Sequence, residues 1–474
     1  MKSGKKALVL LPLGIFLLLL CIIMPDALKE KAEYLNGVNG FGKIVAAAGV
    51  NSDINPSLTP EIITKAAKQS KINEFSYTAA NHILNTDVKV EDRMVKASIT
   101  GTNFMFPAFS RCNMLRGSFF SEDAEKSGGY IAVIDDRFAW EAFRTYKVVG
   151  ETLELYNRQF KIIGVVKTDA SVLSRLAGDN FSHIYIPGEK MLELDKSAAI
   201  KVFQFKTDKT DIMDRNETPI SAALQAAGYK ADDFSITDLN ITRVSMEQKP
   251  QSIVFFLSCI IAVIVLKWLI QSLKNVITEI RRQCKKDYFI NIIKDNLIPT
   301  AAISLKILFS AAATGLLFAS TTFKIYIPPK YLPDELIDLT FYFKLLLAGF
   351  TKNVGGLEYY TDLTGNITGS ANLLTELPLI LILIAGLLLI YSGVSAYKPE
   401  RDELLKAVLV SGLSILFSLL LLAAAANRLG LLLTLHTSQI AVVWVFIYTC
   451  IWFRFYKQER MNWKYEKSKT IVAE

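Results

Sequence analysis

The sequence predicts an α-helical membrane protein with an α+β domain inserted between its first and second transmembrane helices. Three observations lead to this fold class. The 474 residues are 51% hydrophobic with a mean hydropathy of +0.31, which is too apolar for an ordinary soluble chain. The apolar residues are concentrated in runs that reach the roughly 20 residues needed to span a bilayer. A long segment of mixed composition separates the first run from the second.

About six transmembrane helices are predicted from these runs. In chain order they are 7–24, 250–273, 301–323, 377–397, 407–427 and 429–453. The segment 339–350 is shorter and contains Lys344, so we expect it to lie at the membrane interface or to re-enter the bilayer. We expect the first helix to remain as an anchor, because it is long for a signal peptide and no clear A-x-A cleavage site follows it.

Lysine and arginine in the connecting segments predict the orientation. With the N-terminus inside, the cytoplasmic segments contain 19 basic residues and the two short outer loops contain 5. Cytoplasmic loops are enriched in basic residues, so both termini are expected in the cytoplasm and the large domain outside it. The formal net charge of +8 reflects this topology and does not indicate nucleic-acid binding, because the cations flank helices and form no patch with interleaved aromatics.

These boundaries give the predicted domain organisation. It comprises a cytoplasmic N-terminus with helix 1 (1–24), an extracytoplasmic α+β domain (25–249), helix 2 (250–273), a cytoplasmic loop (274–297), helix 3 (298–323), an outer loop with an interfacial segment (324–376), helices 4–6 (377–455) and a basic cytoplasmic tail (456–474).

The α+β domain is expected to fold in two lobes, from its alternation of helical and strand patterns. Helices are predicted at 60–70, 137–145 and 219–227, and strands at 88–99, 130–134, 183–186 and 201–207. A β-hairpin is predicted from 152–156, a turn at Asn157-Arg158, and 160–166. Gly117, Gly150 and Gly164 are expected at turns or close approaches of the backbone.

The sequence contains no recognisable motif for catalysis or for metal binding. Of the five cysteines only Cys112 falls in the outer domain, so no disulfide framework is expected there. No Cys/His cluster suggests a metal, and the three histidines are too scattered to build a Ser/His/Asp site. We therefore expect no metal site, no catalytic residues and no enzymatic activity in this chain.

Several motifs of the outer domain, in this order, resemble the MacB/FtsX-like permeases of ATP-binding-cassette (ABC) transporters. They are Leu115-Arg116-Gly117-Ser118-Phe119-Phe120, Ala132-Val133-Ile134 before a helix with Ala139 and Phe143, Val149-Gly150-Glu151-Thr152, Phe160–Val166, and Ile184-Tyr185-Ile186-Pro187. The set lies between a first and a second transmembrane helix, as in the MacB-like extracytoplasmic core domain. The resemblance covers roughly residues 1–325.

The sequence also departs from that family. The order of Arg116 and Gly117 is reversed with respect to the family motif. The family core has four transmembrane helices and a short second outer loop, whereas six helices and a long loop at 324–376 are predicted here. The hairpin 407–453 has no counterpart that can be aligned.

The resemblance implies a permease subunit that passes ATP-driven motion of a separate ATPase to the extracytoplasmic domain, in the cell (plasma or inner) membrane. The work would be export of a peptide, lipid-linked or drug-like cargo, or activation of an envelope partner. No G-x-x-x-x-G-K-[ST] motif is present, so ATP would be hydrolysed by a partner and this chain would carry no cofactor. The implied partners are a cytoplasmic ABC ATPase dimer, a second permease copy or paralogue, and the lipid bilayer.

The second cytoplasmic loop is the predicted ATPase contact. Its candidate residues are Glu279, Arg281, Arg282, Lys285, Lys286 and Tyr288. Alternatively, the cations only anchor helix ends and bind anionic lipid. The length and partial amphipathicity of the loop favour coupling.

Two further sets complete the candidates. Lys306 is an intramembrane charge and therefore a functional candidate, whereas Lys267 lies near a helix end from which it can reach the interface. Leu345, Leu347 and Phe350 are predicted to lie along the outer membrane surface. An alternative function is a membrane-anchored sensor or assembly factor, in which the α+β domain binds a ligand or protein and the helices only hold it in place.

Overall fold

The computed structural model describes residues 2–48, 60–69, 74–80, 86–90, 93–177, 181–207, 234–283, 297–327, 340, 363–375, 377–397 and 401–473. The chain begins with a helix, continues through a mixed sheet domain, and ends in a series of long apolar helices.

The helices of the sheet domain are short and those outside it are long. The helices are α1 Lys2–Leu35, α2 Pro60–Gln69, α3 Phe106–Phe109, α4 Glu122–Lys126, α5 Asp136–Phe143, α6 Val172–Leu176, α7 Gly188–Leu194, α8 Leu239–Gln283, α9 Leu297–Thr321, α10 Leu363–Leu374, α11 Leu377–Ser395, α12 Arg401–Arg428 and α13 Thr437–Ala473. The strands are β1 Lys43–Ala48, β2 Phe75–Ala80, β3 Thr86–Val90, β4 Arg93–Thr102, β5 Asn113–Gly117, β6 Ile131–Asp135, β7 Thr152–Leu155, β8 Arg158–Lys167, β9 Ser182–Pro187, β10 Ala199–Lys206 and β11 Phe234–Asp238.

The eleven strands form one sheet in the order β11-β1-β10-β2-β4-β3-β7-β8-β6-β9, and β5 pairs with β8. Strand β9 also pairs in parallel with β4. The part of the sheet that runs from β4 through β3, β7, β8 and β6 to β9 therefore closes into a ring of paired strands. The other end of the sheet is built by β1, which pairs antiparallel with both β10 and β11. The N-terminal and C-terminal strands of the domain therefore lie side by side.

The apolar core of the sheet domain contains residues of β1, β4, β6, β8, β9 and β10. Helix α5 packs against β4, β6, β8 and β9, with Phe138, Ala139 and Ala142 buried. Two glycines allow β5 to approach β8. Gly117 has φ +65°, and a Cβ there would lie 2.1 Å from the Ile163 carbonyl oxygen. A Cβ on Gly164 would lie 2.4 Å from the Ser118 carbonyl oxygen. The predicted role of these glycines at close backbone approaches is confirmed.

Most predicted elements of the domain are present. Helices α2 and α5 and strands β6, β9 and β10 match predicted segments to within two residues. The hairpin of β7 and β8 is also present, but its turn lies one residue earlier than predicted. Tyr156 and Asn157 have φ +49° and +59°, the left-handed pair that a two-residue hairpin turn requires. The predicted helix 219–227 lies outside the described residues.

The prediction of a single strand at 88–99 was wrong. This segment contains two antiparallel strands, β3 and β4, with Val88 opposite Val95 and Val90 opposite Arg93. Because Val88 and Val95 are opposite each other, both point to the same face of the sheet. The alternating pattern therefore continues through the hairpin, and the charged pair Glu91-Asp92 was the only local indication of a turn.

Six of the described helices are long and apolar enough to cross a membrane by length and composition, as many as the sequence predicts. The start of the last helix was predicted incorrectly. Residues 431–436 are not helical, and α13 begins at Thr437. Gly430, with φ +66°, ends α12 in the left-handed conformation that glycine adopts at helix ends.

Candidate functional site at the junction of membrane helices and sheet domain

The predicted ATPase contact lies in part on one helix end. Glu279, Arg281 and Arg282 belong to the last turns of α8, and both arginine side chains are exposed. Lys285, Lys286 and Tyr288 lie outside the described residues. The prediction of a loop from residue 274 was wrong for its first part, because residues 274–283 continue the transmembrane helix. This stretch contains neither glycine nor proline and is rich in good helix formers.

The other predicted sites belong to other segments of the chain. Lys306 lies on α9 with its side chain exposed, and within the described parts of the chain it forms no salt bridge. Leu345, Leu347 and Phe350 lie outside the described residues, so their predicted interfacial position stays a prediction. Among the described members of the three predicted sets, Lys306 lies on α9 and Glu279, Arg281 and Arg282 lie on α8.

Two long helices connect the membrane part of the chain directly to the sheet. Helix α1 has 34 residues and α8 has 45, whereas about 20 residues span a bilayer. Helix α1 leads through a short turn into β1, and β11 is followed without interruption by α8. Since β1 and β11 are neighbours, paired from Ile44–Asp238 to Ala48–Phe234, the two helices enter the sheet on adjacent strands.

An apolar cluster fixes this junction. It contains Leu28, Ala32 and Leu35 of α1, Val45 of β1 and Leu239 and Met246 of α8, together with residues of β10, α6, α10 and α12. Burial of apolar side chains stabilises such a contact by about 25 cal/mol per Å². Seven elements therefore form one packed unit at the point where the sheet meets the helices.

Lys43 connects the end of α1 to the sheet through hydrogen bonds of its side chain. Its side chain is fully buried, and Nζ donates to Gln204 Oε1 at 2.8 Å, to the Asn36 carbonyl oxygen at 3.4 Å and to the Phe109 carbonyl oxygen. These acceptors belong to the turn after α1, to α3 and to β10. One amino group thus fixes three segments relative to one another.

Ion pairs connect the helices just outside the apolar spans. Lys29 of α1 lies 3.3 Å from Glu247 of α8, and Arg243 lies 3.1 Å from the same carboxylate. The pair joins the two helices at one level, and the side chain of Lys29 is only 11% exposed. Partly buried pairs are screened less by salt than surface pairs, so this contact holds the two helices together.

The sheet domain also contacts the hairpin of α12 and α13. Val172 N donates to the Leu429 carbonyl oxygen at 2.9 Å. In the same segment of the sheet domain, Asp169 Oδ2 lies 2.5 Å from Lys31 Nζ of α1. The second Asp169 oxygen accepts from Ser171 N at 2.9 Å and from Ser174 Oγ at 3.2 Å. The extra hairpin, which has no counterpart in the family pattern, is therefore a support for the segment before α6.

We expect Asp169→Asn to lower the free energy of unfolding at pH 7 by about 1–3 kcal/mol, because Lys31 loses a charged acceptor. The Asp169 carboxyl is partly buried, which raises its pKa, but hydrogen bonds from Lys31 and Ser171 outweigh burial, and the pKa is lowered from its usual 3.8. A lowered pKa means that its stabilising contribution is present above pH 3.8 and is lost as the pH falls through the folded-state value.

Thermal unfolding of the full chain in detergent between pH 3 and pH 7 measures this effect. The difference between wild type and Asp169→Asn should shrink at the acid end. Asp195→Asn is the control, because that side chain caps an exposed turn. An equal loss in both variants, or a difference independent of pH, would contradict the assignment.

In the described part of the chain, no group of three or more His, Cys, Asp or Glu side chains is arranged to hold a metal ion. The described cysteines are free thiols. The junction is an arrangement of packed helices, ion pairs and the fully buried Lys43.

Long apolar helices and an inserted sheet domain define an integral membrane protein. Residues 13–222 match the family model described as the MacB-like periplasmic core domain. The chain therefore carries a MacB-like periplasmic core domain over these residues. The predicted resemblance is confirmed over this segment.

Solved structures were also compared. The periplasmic region of MacB from Actinobacillus actinomycetemcomitans is 17% identical and covers 44% of this chain and 92% of that one, with a TM-score of 0.35. The extracellular domain of the noncanonic ABC-type transporter YknZ from Gram-positive bacteria is 16% identical and covers 41% and 99%, with a TM-score of 0.34. No curated protein matches the sequence.

Sequence reasoning missed the junction. Lys43 and Asp169 carry no local motif, and their partners are distant in sequence. One signal was available, since Ala27, Leu28, Ala32 and Leu35 repeat at helical spacing beyond the first apolar run. That pattern predicts that α1 continues as an amphipathic helix outside the membrane.

Proposed function

We propose that the chain is the transmembrane permease subunit of an ABC-type system, which transmits ATP-driven motion of a separate ATPase to its extracytoplasmic domain. The supporting observation is the continuity of α8, which runs from the exposed Arg281 and Arg282 at one end to β11 of the sheet at the other. Helix α8 is continuous from Leu239 to Gln283, contains Pro250, and packs against α1, α9 and α13. It therefore links the arginine end of the helix to the sheet through one continuous element.

The proposal includes the topology. Both termini lie in the cytoplasm of a cell with an inner or plasma membrane, and the large domain lies outside in a two-lobed arrangement. The functional unit contains a cytoplasmic ATPase dimer and a second permease, either another copy or a paralogue. The work outside the membrane is export of a peptide, lipid-linked or drug-like cargo, or activation of an envelope partner.

Affinity purification of the full chain in mild detergent tests the ATPase contact. We expect a P-loop ATPase to co-purify with the wild type and to be at least about tenfold reduced with Arg281→Glu/Arg282→Glu, since charge reversal at a contact costs more than about 1.4 kcal/mol. The control Lys274→Glu/Lys457→Glu makes the same change in charge at two other exposed positions. It should retain the ATPase.

The possible outcomes of this purification distinguish the permease from the alternative function. If the ATPase is retained by both double variants, the contact lies elsewhere in the chain and the coupling role of these arginines is wrong. If no ATPase co-purifies with the wild type in any detergent, the permease function is contradicted. The membrane-anchored sensor or assembly factor then becomes the better account.

A further inference from the structure

The five-residue helix α4 is held on the sheet domain by few contacts. None of its residues is fully buried. Ala124 packs at the edge of an aromatic cluster that contains Phe106, Phe120 and Tyr185, and the helix is capped by a hydrogen bond from Ala124 N to Ser121 Oγ at 3.3 Å. A segment with few buried contacts opens locally at a low cost in free energy. The docking of α4 therefore depends strongly on the state of any polar side chain at its contact with the sheet.

Glu125 is such a side chain. Its Oε2 accepts a hydrogen bond at 2.8 Å from Phe104 N, which lies just after strand β4. Within the described residues Glu125 forms no salt bridge, whereas Glu122 pairs with Lys126 at 2.7 Å on the exposed side of the same helix. Removing a carboxylate from water is costly unless it is paired and hydrogen-bonded. One amide therefore compensates the ionised form only in part.

The described groups that face Glu125 from the sheet and from α7 favour its neutral form. Tyr77 of β2 is buried beside it, and burial raises the pKa of this phenol well above its ordinary value, so that it adds no charge. Glu189 of α7 is a second carboxylate, close enough to repel a negative charge on Glu125. The next residue of α7, Lys190, is paired with Glu193 at 2.6 Å.

These surroundings make the docking of α4 dependent on pH. Burial raises the pKa of the Glu125 carboxyl from its ordinary 4.5 to about 7, and the charge of Glu189 adds to the increase, whereas the hydrogen bond from Phe104 N lowers the pKa by less. With α4 undocked, the carboxyl lies in water and has its ordinary pKa. Between these two pH values the docked form holds a proton that the undocked form has lost. Docking therefore has its full strength below pH 4.5 and weakens as the pH rises toward 7.

We propose that Glu125 is a pH-sensitive latch of the sheet domain, which holds α4 in place while the carboxyl is protonated and releases it when the carboxyl ionises. Release uncovers the aromatic cluster, where Phe119 lies 6.1 Å from Phe106 and 4.3 Å from Phe120 between ring centroids. Because the domain is expected outside the cytoplasm, it meets the pH of the surroundings. The latch acts within the sheet domain, so it goes beyond the permease function and does not depend on the ATPase.

Hydrogen exchange of the full chain in detergent at pH 5.5 and pH 8.5, followed by mass spectrometry, measures the latch. Exchange rates are converted to protection factors, because the chemical exchange rate itself changes with pH. We expect protection of the peptides that contain α4 and Phe104 N to fall by about tenfold between the two pH values, while that of strand β8 stays constant. Glu125→Gln should keep high protection of α4 at both pH values.

Glu122→Gln is the matched control, because it removes a carboxylate from the exposed side of the same helix and should keep the pH dependence of the wild type. Glu189→Gln should move the midpoint of the change to lower pH, and an unmoved midpoint would contradict the facing of the two carboxylates. Protection of α4 in the wild type that does not change with pH would overturn the latch without any variant. So would a pH dependence that persists in Glu125→Gln or is shared by β8, since general loosening of the domain would then account for it.

Discussion

Lys43→Met should lower the free energy of unfolding by about 3 kcal/mol. The substitution leaves three buried acceptors, on Asn36, Phe109 and Gln204, without their donor, and each unsatisfied buried group costs about 1–3 kcal/mol. Relief of the desolvation of a buried amino group offsets part of this loss. Methionine fills a similar volume and adapts to irregular spaces, so little cavity is created.

The measurement is thermal unfolding of the full chain in detergent, together with hydrogen exchange of the segment around Asn36. Lys206→Met is the matched control, because Lys206 is the partner of Lys43 in the β1–β10 ladder but its side chain is 44% exposed and pairs with Glu74. Exposed ion pairs contribute about 0–1 kcal/mol. Equal effects of the two substitutions would mean that Lys43 does not connect α1 to the sheet.

Gly14→Ala and Gly393→Ala should each destabilise the packing of α1 on α11 by about 1–3 kcal/mol, the cost of overpacking a close contact. A Cβ on Gly14 would lie 2.7 Å from Ile390 N, and one on Gly393 would lie 2.7 Å from Leu11 N. Both obstacles are backbone atoms, so the helices themselves must move apart. Small residues allow such close approach of membrane helices.

Gly412→Ala on α12 is the control, because a Cβ there meets nothing within 4 Å. Alanine favours a helix over glycine by up to about 1 kcal/mol, so this variant should be unchanged or slightly more stable. Unfolding of the full chain by a denaturing detergent compares the three. A loss for Gly412→Ala as large as that for Gly14→Ala would show that general membrane-helix effects, not the α1–α11 contact, determine the result.

Hydropathy predicted the apolar segments of the long helices but not how far these helices continue beyond them. The run 7–24 ends at Met24, yet α1 continues through Pro25 to Leu35. Likewise α8 begins at Leu239, well before the apolar run at 250. A hydropathy run reports contact with lipid, whereas helix continuity depends on the packing of an amphipathic face, here on the sheet and on the other helix.

The motifs of the sheet domain predicted its family because they are local. Gly117 and Gly164 are needed where β5 meets β8, and the strand Phe160–Val166 carries its own pattern. The charged junction is different, since Asp26 and Lys29 of α1, Glu247 of α8 and His436 just before α13 are far apart in sequence. No sequence pattern predicts such a group, because its residues are brought together only by tertiary packing.

The pairing of β1 with β11 places the attachment points of α1 and α8 at one end of the sheet. Helix α1 enters at the start of β1 and α8 leaves from the end of β11, and these two points are the same end of one antiparallel ladder. Any displacement of one helix relative to the other would therefore be applied to these two neighbouring strands at their shared end, and the rest of the sheet is connected to that end through β10.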